Sequence, residues 1–94
     1  MKVFVTSRAE QHFDKIIEYL KYKWGEKTAK EFIDKVDEIF SLLKNYPSIG
    51  QVETKDMRGF QLTPHTRILY RIRDNKIIIL SFFDSRQDPK KKFR

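Results

Sequence analysis

The sequence predicts an α+β fold: an N-terminal strand, an αα-hairpin, then a three-stranded antiparallel meander forming a small sheet packed on two helices. Three observations carry this. Two successive segments place apolar residues at helical spacing with little more than Gly25 between them. Residues 65–88, HTRILYRIRDNKIIILSFFDSRQD, hold the densest apolar run of the chain and break at Asp74-Asn75, two residues that tolerate positive φ and suit a tight hairpin. A strand pair this apolar needs cover on one face, and two amphipathic helices supply it.

Taken in order, residues 2–5 form a short β-prone segment. Ser7-x-x-Glu10 matches a capping box and starts the first helix, along which Ala9, Phe13, Ile16, Ile17, Leu20 and Trp24 recur on one side. Gly25 suits the left-handed position that ends it. Ala29, Phe32, Ile33, Val36, Ile39, Phe40 and Leu43 define the second helix, which Asn45-Tyr46-Pro47 terminates. Phe32, Phe40 and Trp24 sit at core spacing and read as packing. Residues 46–50 form a loop, 57–62 a strand, 63–66 a turn around Pro64, and 67–73 and 76–84 the last two strands. Residues 1–94 make one domain, of which 85–94 (SRQDPKKKFR) is a basic C-terminal tail.

Composition narrows the function classes. Zero cysteines exclude disulfides and thiolate metal sites and fit a reducing, cytoplasmic setting. The apolar runs are far too short for a membrane helix, and Thr6-Ser7-Arg8 interrupts any signal peptide, so no membrane partner is expected. No phosphate loop, dinucleotide fingerprint, HExxH or zinc spacing is present, and no cofactor or metal is expected. Net charge of +7 with a pI near 9.7 favours a polyanion or an acidic protein partner.

Strand register then sorts the side chains. With Asp74-Asn75 as the turn, Ile72 faces Ile77, Tyr70 faces Ile79 and Ile68 faces Ser81 on the helix side. Gly59 falls opposite Tyr70, where its missing side chain leaves room for the ring. The reverse face then carries Arg58, Phe60 and Leu62 on one strand, Arg67, Leu69, Arg71 and Arg73 on the next, and Lys76, Ile78, Leu80 and Phe82 on the last, basic and apolar together. Guanidinium forks match phosphates or carboxylates two bonds at a time, so Arg58, Arg67, Arg71, Arg73 and Arg86 suit an RNA backbone or the carboxylates of an acidic partner. Arg71, Arg73, Phe60, Phe82, His65, Lys90 and Lys91 are the candidate binding residues. His65 and Asp84 form a candidate proton-transfer pair at the rim of the sheet. His12, at the border of the first helix's apolar face, reads as structural.

The same residues resemble the RelE/ParE superfamily of toxins from bacterial type II toxin–antitoxin systems. The matching stretches are Ile16-Ile17-Glu18-Tyr19, Trp24-Gly25, Leu43-Lys44-Asn45-Tyr46-Pro47, Arg67-Ile68-Leu69-Tyr70-Arg71-Ile72 and Ser85-Arg86-Gln87-Asp88-Pro89. The resemblance implies a growth-inhibiting toxin neutralised in a hetero-oligomer with a cognate antitoxin, with DNA gyrase or the ribosome and its mRNA as target. RelE-like members cleave mRNA with a cluster of basic residues and a C-terminal tyrosine or histidine, whereas ParE-like members inhibit gyrase and lack that cluster. Here residues 61–63 hold no base and Phe93 cannot transfer a proton, so the ParE-like activity is favoured. The alternatives are ribosome-dependent mRNA cleavage, for which Arg58, Arg67 and Arg86 are the candidate catalytic cations, and a basic binding module without catalysis.

Overall fold

The computed structural model describes residues 1–86. Its elements run β1 (Lys2–Val5), α1 (Ser7–Trp24), α2 (Glu26–Asn45), β2 (Gln51–Thr54), β3 (Met57–Gln61), β4 (Thr66–Arg73) and β5 (Lys76–Asp84). The strands form one sheet in the order β1-β5-β4-β3-β2, with β1 parallel to β5 and the other neighbours antiparallel. The predicted helical hairpin and meander are therefore present, and β2 is an addition. Its four residues, Gln51-Val52-Glu53-Thr54, are all exposed and include one apolar side chain, so neither periodicity nor hydrophobicity marks them as a strand.

Helix α1 begins one residue away from its predicted cap. The Thr6 N–H donates to Ile79 O at 3.1 Å, extending the β1 ladder and keeping Thr6 out of helical conformation. Its hydroxyl then accepts the Ala9 N–H at 3.1 Å, so Thr6, not Ser7, is the N-cap. Gly25 serves both helices at φ +96°. Its N–H closes α1 onto Leu20 O and Lys21 O, and its carbonyl accepts from Ala29 N to open α2. A side chain at that φ is strained, which makes glycine the fitting residue for so short a joint.

Both helices cover one face of the sheet. The core joins Ile16 and Leu20 of α1, Phe32, Val36, Ile39 and Leu43 of α2, and Ile68, Tyr70, Ile77, Ile79 and Phe82 of the central strands. Trp24 departs from its predicted packing role: it stands in the last turn of α1 and is 60% exposed. Asp74 and Asn75 adopt φ 52° and 61°, the left-handed pair that the hairpin requires.

Two register details differ from expectation. Tyr70 faces Ile79 and Ile72 faces Ile77 as predicted, but a β-bulge then leaves Leu80 as an extra residue. Ile68 consequently faces Phe82 rather than Ser81, and the bulge turns Phe82 and Asp84 to the helix side. On β3, Arg58 rather than Gly59 faces Tyr70, and Phe60 faces Ile68. Among the described residues, no helix is long and apolar enough to cross a membrane.

Candidate functional site

Among the described residues no helix or strand covers the sheet face away from the helices, and its chemistry starts from β4. Arg67, Leu69, Arg71 and Arg73 alternate with the buried Ile68 and Tyr70, so they lie on this open face. Edge strand β2 carries a bulge whose extra residue is Glu53. Its carboxylate pairs with Arg67. The two side chains meet above Gly59, where a Cβ would lie 2.3 Å from Arg67 Nη2 and 2.9 Å from Glu53 Oε2. Gly59 thus makes room for an ion pair, and not for the Tyr70 ring as its expected register implied. Farther along, Asp56 in the β2–β3 turn accepts from Arg73 Nη2 at 2.7 Å and lies 3.7 Å from Arg71 Nε.

Arg67 lines a cleft of about 760 Å³ on this face, together with Arg8 and His12 from α1, Glu53, Leu69, Leu80, Ser81 and Phe83. His12 Nδ1 accepts the Phe82 N–H at 3.4 Å just past the bulge, tying α1 to β5. Arg8, Glu53 and Phe83 were not among the predicted site residues, and His12 read only as structural. Glu53 sits on the strand the sequence does not mark, and Phe83 reaches the open face only because of the Leu80 bulge.

The other predicted residues fall elsewhere. Arg58 points to the helix side, where Nη1 donates to Ser48 O at 3.0 Å and Gly50 O at 2.9 Å. It shares that corner with Tyr70, whose hydroxyl donates to Pro47 O at 2.7 Å and accepts the Gly50 N–H at 2.9 Å. Burial raises the Tyr70 hydroxyl's pKa, partly offset by the Gly50 N–H and the nearby Arg58 charge. Phe60 packs partly buried against the core, and Phe82 is buried in it, its ring 5.6 Å from Phe13 and 6.5 Å from Phe40. The reverse face therefore does not carry Arg58 or Phe60, and Phe82, which borders the open-face cleft, is buried in the core, because the β3 register and the β5 bulge each shift them by one residue.

Arg86 grips Asp84 with two guanidinium bonds at 3.0 and 3.2 Å, and the Thr66 hydroxyl donates to the same carboxylate at 2.6 Å. Burial alone would raise the Asp84 carboxyl, yet these bonds hold it below the ordinary carboxylate value. Both Asp84 oxygens are thus engaged by Thr66 and Arg86 rather than by the predicted His65 partner. His65 and Arg86 border a separate cleft of about 340 Å³ with Lys35, Glu31 and Pro64. Lys90 and Lys91 lie outside the described residues. Among those residues no group of His, Asp and Glu side chains could hold a metal ion.

The profile of the family described as "ParE toxin of type II toxin-antitoxin system, parDE" matches residues 3–89 of the chain. No curated protein matches it. Among solved structures, a chromosomal ParDE toxin–antitoxin system from P. aeruginosa aligns at 19% identity with a TM-score of 0.74, covering 89% of this chain and 95% of that one. The YoeB dimer from Staphylococcus aureus aligns at 15% identity and TM-score 0.60, covering 88% and 94%. A chain of the E. coli DinJ–YafQ complex aligns at 11% identity and TM-score 0.59, covering 90% and 93%. These likenesses show a shared fold.

Proposed function

We propose that this chain, which belongs to the ParE toxin family of type II toxin–antitoxin systems, arrests growth by inhibiting DNA gyrase and is neutralised by a cognate antitoxin bound directly to it. The observation that carries this reading is the family match across residues 3–89. The placement of the candidate catalytic arginines supports it. Arg67 lies on the open face, whereas Arg58 and the Asp84-bound Arg86 belong to the helix side, so the three do not converge on one phosphate.

One observation favours a second reading, ribosome-dependent mRNA cleavage. His12 shares the cleft with Arg8 and Arg67, which puts a proton-transfer group beside two cations. Cleavage there would form a bond from the 2′-oxygen to phosphorus while the 5′-oxygen leaves, one proton being taken from the former and one given to the latter.

Induced expression with and without the adjacent small reading frame tests the toxin role, and growth arrest relieved by the partner is expected. Absence of arrest would refute it. Loss of supercoiling by purified gyrase in the presence of the toxin is the expected result for the target. Intact supercoiling with cut sites on translated messages would move the activity to the ribosome.

A further inference from the structure

The end of the helical hairpin exposes two aromatic rings that the fold does not use. Tyr22 is 86% exposed and Trp24 60% exposed, and among the described residues neither side chain meets another ring, a cation or a hydrogen-bond partner. Lys23 stands between them, and at 3.6 residues per turn it projects about 100° around α1 from each. Lys27 follows in the first turn of α2. Lys23 and Lys27 are exposed and have no carboxylate partner among the described residues, whereas Lys21 lies 3.7 Å from Glu26 and Lys30 pairs with Asp34. Cations in the last turn of a helix answer its macrodipole, which accounts for Lys21 and Lys23. It does not account for the exposed rings, nor for Lys27 at the positive end of α2.

We infer that this hairpin end binds a single-stranded polynucleotide, with unpaired bases stacked on Tyr22 and Trp24 and the neighbouring phosphates paired with Lys23 and Lys27. The composition of the surface selects this ligand. Every large apolar side chain exposed between residues 18 and 32 is aromatic, because Leu20, Ala29 and Phe32 are buried. A bilayer surface is held by a broad apolar helix face, which the hairpin end lacks, and lysines such as those flanking the rings are depleted from protein interfaces. A nucleotide repeats a flat π-face and a phosphate, so the alternation Lys21-Tyr22-Lys23-Trp24 meets both halves of the repeat. Duplex bases are already stacked on one another, which restricts the ligand to unpaired ones. Neither ring lines the open-face cleft, so this contact does not depend on the toxin reading.

Trp24 is the chain's one tryptophan, so its fluorescence reports this site and no other. Titrating the full chain with short oligouridylate or oligothymidylate, the two sources of unpaired bases, is expected to quench that emission to saturation. The tighter of the two identifies RNA or DNA as the ligand. Tyr22→Ala weakens binding by roughly tenfold, the loss of one stacked base, while Tyr22→Phe retains it. Lys23→Gln and Lys27→Gln each flatten the slope of log Kd against log salt by about 0.7. These positions are all exposed, so the melting temperature stays at the parent's value.

Heparin and a blunt-ended DNA duplex serve as polyanions without free bases. If either quenches Trp24 as strongly as the single strands, stacking is overturned and charge alone explains the binding. A Tyr22→Leu variant that binds like the parent has the same consequence, because leucine keeps apolar area and loses the π-face. No quenching by either single strand, or quenching untouched by Tyr22→Ala, Lys23→Gln and Lys27→Gln, removes the hairpin end as a polynucleotide site. Vesicles of phosphatidylserine and phosphatidylcholine that blue-shift Trp24 emission where the oligonucleotides leave it unchanged would assign this end to a membrane surface instead.

Discussion

At the scale of single residues, the firmest constraints surround Tyr70 and Asp84. The Tyr70 side chain fills the space a Gly50 Cβ would need, its hydroxyl oxygen 2.5 Å and its ring Cε1 2.6 Å from the ideal position, and the hydroxyl satisfies both Pro47 O and Gly50 N. Tyr70→Phe keeps the ring and strips both bonds, so chemical denaturation should show a loss of about 1–3 kcal/mol. An unchanged midpoint would mean that the corner closes through Arg58 alone. Asp84 makes a pH-dependent contribution. Its folded carboxyl titrates below the ordinary value of 3.8, so the stabilisation is full above that value and is lost as pH falls through the lower, folded value. Asp84→Asn should therefore cost stability at neutral pH, with the gap from the parent chain narrowing only below 3.8. A gap that narrows between neutrality and that value would assign the effect to another group. The sequence shows Tyr70 as a core residue by alternation, but the partners of Asp84 depend on the Leu80 bulge, which no local pattern announces.

At the scale of elements, that bulge explains most of what the sequence leaves hidden. Residues 76–84 alternate well enough to be read as a strand, and the Asp74-Asn75 turn fixes the pairing correctly as far as Tyr70 and Ile79. Beyond Leu80 every side chain is on the opposite face from the one a regular strand gives it, because strand periodicity is two. Phe82 thereby enters the core, and Phe83 reaches the open cleft. The helices were legible because their apolar stripes extend over many residues. The β3 register was not, because the turn at Pro64 fixes no unique offset. Deleting Leu80 takes out the extra residue and leaves Ser81 opposite Leu69 and Phe82 opposite Ile68 in regular alternation, so Phe82 and Asp84 keep their places on the helix side. Phe82→Ala, by contrast, empties a buried site at a cost of about 3–5 kcal/mol, so calorimetry should show a cooperative transition for the deletion variant and a strongly lowered one for the alanine variant. A deletion variant that loses as much stability as Phe82→Ala would mean that the bulge itself is needed to hold Phe82 in the core.

At the scale of the whole molecule, the arrangement is one-sided. Two helices bury one face of a five-stranded sheet, and the other face keeps apolar side chains and cations whose carboxylate partners lie on the marginal β2 hairpin. A chain carrying +7 on 94 residues repels itself, and an acidic partner would relieve that repulsion. A partner present at about a hundred times its Kd adds roughly 2.7 kcal/mol to stability. For a domain of this size that raises the melting temperature by roughly 10–20 °C. The electrostatic share of this gain weakens with salt, because the screening length falls from about 10 Å at 0.1 M to about 3 Å at 1 M. Differential scanning fluorimetry of toxin and antitoxin across that range should therefore show a stabilisation that shrinks as salt rises without vanishing, the remainder being apolar burial. A rise in melting temperature that is independent of salt would remove charge complementarity as the basis of recognition and leave apolar burial to account for all of it.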